Sequence, residues 1–212
     1  TGWSMAGCQA YQWAAQYPDF VKAILPFCAS AKTSPHNHVF LEGVKAALCA
    51  DQNWNNGDYS SPPVAGLKAF ARVYAGWAFS QTFYRNSLFK EIGYDSLEDL
   101  LVDWEEDHSK NWDANNLLCK LDTWQTSDIS VGPIYNGNIE MALNAIKAKT
   151  ILMPCMHDLY FPPEDNEIEA GYINGADFRP FDSPWGHCAA NPGNDPDFTA
   201  ELERAINELL EE

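Results

Sequence analysis

The chain has 212 residues, 46% of them hydrophobic and 13% aromatic, enough for a packed core in one large domain or two small ones. Its formal net charge of −17 argues against nucleic acid and anionic membrane as partners, because both are bound through a basic face. No run of about 18 apolar residues occurs, so no transmembrane helix is predicted.

The sequence opens on Thr1-Gly2-Trp3-Ser4-Met5-Ala6-Gly7. A serine among small residues reads as a nucleophile elbow, a tight strand-to-helix turn that lifts the hydroxyl out of a sheet. An elbow needs a strand ahead of it, and only Thr1 precedes Gly2. The sequence is therefore expected to be the later part of a larger fold, with an N-terminal segment or partner chain completing the sheet. Met5–Tyr17 has small and apolar residues at helical spacing and stops before Pro18. Val21–Ala29 is a short apolar run and predicts a buried strand.

From Thr33 to about Ile146 the pattern turns helical, over residues 39–50, 64–80, 97–109 and 114–124, with a polar loop at Asn53–Pro63. Alternation then resumes, with a strand at Thr150–Cys155, a helix at Pro163–Gly171 and a strand at Asp177–Asp182. An amphipathic helix at Asp197–Leu210 closes the chain, with Phe198, Leu202, Ile206 and Leu209 on one face. Acid gathers in Glu98–Asp107 and Glu201–Glu212, both expected as solvated helix faces. This order predicts an α/β fold with a parallel sheet: residues 1–32 and 147–212 form its core, and 33–146 are a helical cap inserted between them.

None of the six cysteines (Cys8, Cys28, Cys49, Cys119, Cys155, Cys188) forms a C-x-x-C pair. They read as reduced, mostly buried thiols of a cytoplasmic protein. Cys188 stands apart because it follows a candidate catalytic histidine.

A serine hydroxyl attacks well only when a base takes its proton and a carboxylate orients that base. The chain supplies Ser4, Asp158 and His187 in that order, each just after a predicted strand. Loops after the carboxyl ends of parallel strands gather at one edge, so the three are expected to converge. This is the triad order of α/β hydrolases. His157 adjoins Asp158, but neighbouring side chains diverge. Glu164 and Asp165 fall inside the following helix, and His108 is expected to be solvated. His36 and His38 lack a third ligand nearby, so no metal is expected. The Met5 backbone N–H is one expected oxyanion donor, and the second would come from a loop after an earlier strand.

The stretch Gly2–Ala14 resembles the elbow and following helix of the homoserine O-acetyltransferase-like α/β hydrolases. Ala71-Arg72 and Trp112-Asp113-Ala114-Asn115 resemble that family's cap, and Asp158-Leu159-Tyr160-Phe161-Pro162-Pro163 its acid loop. The resemblance runs through essentially the whole chain. It implies an α/β-hydrolase fold with Ser4 as nucleophile, Asp158 as acid and His187 as base. It also implies a dimer through the cap, and makes Arg72 the counterpart of the arginine that binds the homoserine carboxylate in the transferases.

Two departures point away from the transferase. Phe79 stands where that family's cap tyrosine is expected, and Cys188 stands where an aspartate follows the histidine. Each removes a polar contact that an amino-acid substrate needs. The tail Trp185–Gly193 is closer to the esterase-type members, and Trp3, Trp77, Phe79 and Phe83 are candidates to line an apolar acyl or alcohol pocket. The expectation is a serine hydrolase acting on a small carboxylic ester without metal or organic cofactor. The alternative is an O-acyltransferase that uses acetyl-CoA as co-substrate, and a weaker one is a non-catalytic binding protein.

Overall fold

A computed structural model describes residues 1–191 and 193–211. Pro192 and Glu212, which belong to the tail motif and the acidic C-terminal run, lie outside the described residues. The chain forms two compact units, Thr1–Thr33 with Ser127–Glu212, and Ser34–Thr126.

The first unit begins with β1 (Gly2–Trp3), α1 (Met5–Gln16), β2 (Ala23–Ile24) and β3 (Pro26–Phe27). The second consists of α2 (Pro35–Cys49), α3 (Val64–Ala78), α4 (Gln81–Arg85), α5 (Leu97–Asn111) and α6 (Ala114–Gln125), with short 3-10 turns between them. The chain then returns to the first unit with α7 (Ile139–Asn144), β4 (Lys149–Leu152), α8 (Pro163–Tyr172), β5 (Asp177–Phe178) and α9 (Pro196–Leu210).

The three strand pairings among the described residues are parallel. β3 pairs with β1 (Gly2↔Pro26, Trp3↔Phe27). β2 pairs with β4 (Ala23↔Lys149, Ile24↔Thr150), and a Phe27–Met153 bridge extends that contact. β4 pairs with β5 (Ile151↔Asp177, Leu152↔Phe178), extended by a Cys155–Phe181 bridge. Residues 23–27 thus stand between β1 and β4. Parallel neighbours need crossovers, and α1 and α8 supply two of them. The strands are shorter than the apolar runs that encode them. Cys28, at φ 47, ends β3, and Pro154, which has no N–H to donate, follows β4 closely.

The core of this unit joins Tyr11, Ala14 and Ala15 of α1 to Ile24, Leu152 and Ile173. It also takes in Ile129, Tyr135, Ala142, Leu143 and Ile146. The expected cap of 33–146 is therefore cut short at Thr126, because residues 127–146 spend their apolar side chains on the sheet unit. Backbone bonds from Thr33 N–H to Ser127 O (2.9 Å) and Ile129 N–H to Ala31 O (3.1 Å) hold this junction, with a Lys32–Asp128 ion pair at 2.9 Å. In α9, Phe198 is buried against Phe27 and Phe181, with ring centroids at 5.8 and 4.2 Å.

In the helical unit, α3 packs on α2 and α5 through an aromatic core that includes Phe40–Trp77 (4.7 Å) and Phe70–Tyr74 (5.4 Å). His108 is not solvated as expected. It lies among Phe70, Tyr74 and Trp104, with Nδ1 2.9 Å from Trp104 O, and burial lowers its pKa. Glu106, Asp107 and Lys110 on α5 stay largely exposed, while the imidazole's flat ring packs against the Trp104 indole and the Phe70 phenyl.

Candidate active site

Ser4 joins β1 to α1 at φ 56 and ψ −128, a conformation that non-glycine residues rarely adopt. The turn is held by Ser4 N–H on Phe27 O (3.1 Å) and by Gly7 and Cys8 N–H on Ser4 O (2.8 and 3.1 Å). It is too tight for side chains at two positions. A Cβ on Gly2 would lie 2.3 Å from the Ala6 carbonyl carbon, and one on Gly7 would lie 2.4 Å from Ala29 Cβ.

The Ser4 hydroxyl is not spent on the helix. Ser34, Ser80, Ser96, Asp113, Asn138 and Asp195 all cap their helices through the side chain, whereas Ser4 makes no such bond. Met5 is the first residue of α1, so its N–H has no intrahelical partner and points from the positive end of the helix.

Asp158 follows β4 and His187 follows β5, and both side chains are buried. Asp158 Oδ2 accepts the His187 Nδ1–H at 2.7 Å. Its Oδ1 accepts the backbone N–H groups of Tyr160 (2.7 Å) and Phe161 (3.2 Å), so the acid loop curls around its own carboxylate. Three rings surround the imidazole: Trp3 at 5.3 Å, Tyr160 edge-on at 4.8 Å and Phe161 at 5.7 Å between centroids. Trp3, the residue before Ser4, thus sits against His187. Ser4 Oγ and His187 make no hydrogen bond among the described residues, and that bond commonly tightens only with substrate in place.

Cys28 Sγ, an Asp158 carboxylate oxygen and a His187 ring nitrogen lie within 4.8 Å of one another. The donor types are those of a metal site, but their protonation is not. Burial first, and then the Asp158 charge, pushes the Cys28 thiol well above the usual range, and His187 Nδ1 is already bonded to Asp158. The same causes push Cys188 up to about 12. All six cysteines are free, with Cys8, Cys28, Cys155 and Cys188 buried. His157 turns away from Asp158 and pairs with Asp182 at 3.0 Å.

Sequence reasoning missed a second buried carboxylate. Glu169 on α8 accepts Ala31 N–H at 2.7 Å, Tyr11 O–H at 2.6 Å and Asn166 Nδ2–H at 2.8 Å. Asn166 also donates to Ala29 O at 2.8 Å. Burial raises the Glu169 pKa from 4.5 to about 7, against these hydrogen bonds, which lower it. The network ties α1, which starts at Ser4, to the segment after β3 and to the helix after the acid loop. Nothing in the spacing of one glutamate on a polar helix announced it.

The remaining expected site residues belong to the helical unit. Arg72 bonds Glu98 at 2.6 Å and also Glu105, so two carboxylates occupy its guanidinium. Phe79 is buried within that unit, stacked on Phe83 at 4.1 Å and edge-on to Tyr84.

Residues 1–190 match the family model of the alpha/beta hydrolase fold. An ethyl acetate hydrolase of Pseudomonas veronii is 34% identical over 99% of this chain and 60% of its own length. A homoserine O-acetyltransferase of Chloroherpeton thalassium is 29% identical over 99% of this chain and 53% of its own. Among solved structures, that of the acetyl esterase MekB superposes with a TM-score of 0.94 at 33% identity, covering 100% of this chain and 61% of that one. The chain spans about three fifths of the length of the ester-hydrolase relatives it matches.

Proposed function

The chain belongs to the alpha/beta hydrolase family, and from that membership we propose that the protein is a serine esterase acting on small carboxylic esters. The observation that carries the reading is the buried Asp158–His187 pair, 2.7 Å apart, with Trp3 of the elbow against its imidazole. Ser4 Oγ attacks the ester carbonyl and His187 Nε2 takes its proton, while Asp158 holds Nδ1 and stabilises the imidazolium. The Met5 N–H, at the positive end of α1, stabilises the oxyanion. His187 then returns the proton to the departing alkoxide. Water, deprotonated by the same imidazole, cleaves the acyl-serine and releases the acid. These steps need no metal or organic cofactor.

Acetate esters are the substrates that the relatives' names support, those being an ethyl acetate hydrolase and an acetyl esterase. Transfer to homoserine instead of water is disfavoured by the chain's own residues. Phe79 has no hydroxyl, Cys188 has no charge to offer an amine, and the Arg72 guanidinium is engaged by Glu98 and Glu105.

The test is to give the intact protein ethyl acetate in one assay and acetyl-CoA with homoserine in another. Acetic acid from the first and no free thiol from the second supports the esterase. Homoserine-dependent thiol release without ester turnover overturns it.

A further inference from the structure

A buried carboxylate has about four lone-pair directions to satisfy, and an unmet one costs free energy when water is excluded. Asp158 fills two with the Tyr160 and Phe161 N–H groups and a third with His187 Nδ1–H. One remains, and Cys28 Sγ lies within 4.8 Å of a carboxylate oxygen of Asp158 and of a ring nitrogen of His187. We propose that Cys28 is a positioning residue of the active site, whose S–H fixes the Asp158 carboxylate in the orientation that His187 needs. The proposal rests on the esterase reading above, in which this pair moves the proton.

The thiol is aimed by the backbone rather than by a free rotamer. Cys28 ends β3 at φ 47, in the left-handed region, with its N–H on Met153 O at 3.2 Å. Strain of this kind persists only where the surroundings over-determine it, and here it sits beside the acid. Ser4 carries the matching strain at the end of the neighbouring strand β1.

A thiol suits this position better than a hydroxyl. S–H is a weak donor, so it fills the last direction without drawing much charge from the carboxylate, and Oδ2 stays a strong acceptor for the imidazole. Burial keeps Cys28 protonated, as it does Cys155 and Cys188, which are each pushed up to about 12. No thiolate therefore competes with Ser4 as nucleophile.

The test compares Cys28→Ala, which removes the donor, with Cys28→Ser, which restores one. Valine is avoided because a β-branch at positive φ adds its own strain. In the intact protein, kcat and KM for p-nitrophenyl acetate are measured per fluorophosphonate-titrated site. The Nδ1–H proton resonance of His187 is followed by NMR. Cys28→Ala is expected to lower kcat about tenfold at unchanged KM and to shift the resonance, the loss of one hydrogen bond to a charged group. Cys28→Ser should recover most of both. A wild-type kcat per site with an unmoved resonance in Cys28→Ala overturns the proposal, and so does an equal loss in both variants, which marks a packing defect. The resonance reads the Asp158 bond whether or not esters are turned over. A protein without esterase activity whose resonance still moves in Cys28→Ala and returns in Cys28→Ser sinks the esterase reading and keeps Cys28 as the residue that orients Asp158.

Discussion

Replacing Glu169 by glutamine should change how stability depends on pH, and the sign follows from the direction of the shift. Burial raises the Glu169 pKa from 4.5 to about 7, so the folded chain holds this proton more tightly than the unfolded one. Its contribution to stability is fully present below the unfolded value, falls as pH rises through about 7, and is flat above that. The displacement corresponds to about 3 kcal/mol in all, of which about 2 kcal/mol falls between roughly pH 5 and pH 8. Glutamine keeps the shape and cannot ionise. Its amide sets donor against donor at Asn166 Nδ2, a cost that does not vary with pH. Urea unfolding of the intact wild type and Glu169→Gln across that range cancels every other ionisation in the difference. The variant should gain about 2 kcal/mol on the wild type from about pH 5 to about pH 8. A difference that stays constant, or that moves towards the wild type as pH rises, refutes the reasoning.

Asp158→Asn should leave the fold intact and lower kcat by roughly 10³–10⁴, because an amide holds the imidazole in the wrong tautomer; initial rates showing a loss below about tenfold would contradict its role. Gly7→Ala forces a Cβ to within 2.4 Å of Ala29 Cβ and should cost about 2–3 kcal/mol in urea unfolding, so an unchanged midpoint would mean the elbow is not this tight. In the folded protein a thiol reagent should react with exposed Cys119 and leave Cys8, Cys28, Cys155 and Cys188 until unfolding, and rapid loss of any of these four would contradict their burial. Arg72→Ala should keep kcat/KM for a neutral acetate ester within about twofold, because the guanidinium is already engaged by Glu98 and Glu105; collapse of turnover would place Arg72 in the substrate site.

The order of the candidate triad was legible because each of its signals is local. A serine between small residues before a helical pattern, an aspartate after an apolar run and a histidine after the next run each declare themselves within a few positions. Helices with clear periodicity, such as α3 and α5, were legible for the same reason. The boundary at Thr126 was not, since α7 continues the helical texture and only the burial of Ile129, Tyr135 and Leu143 assigns residues 127–146 to the sheet unit. His108 looked solvated because its neighbours in sequence are acidic, whereas its neighbours in space are rings. Cys28 and Glu169 take their meaning from distant partners: Glu169 accepts from Ala31, 138 positions away, and Cys28 meets an acid on another strand's loop. Residue type shows that such groups can bond, and only the fold shows to what.

The claim at the centre is that Ser4 is a nucleophile activated by His187. Treating the intact protein with a fluorophosphonate and mapping the adduct by mass spectrometry tests it most directly. The account predicts one adduct on Ser4, coincident loss of ester turnover, and neither adduct nor turnover in Ser4→Ala. An adduct on another residue, or a Ser4→Ala variant that still hydrolyses esters, would contradict it.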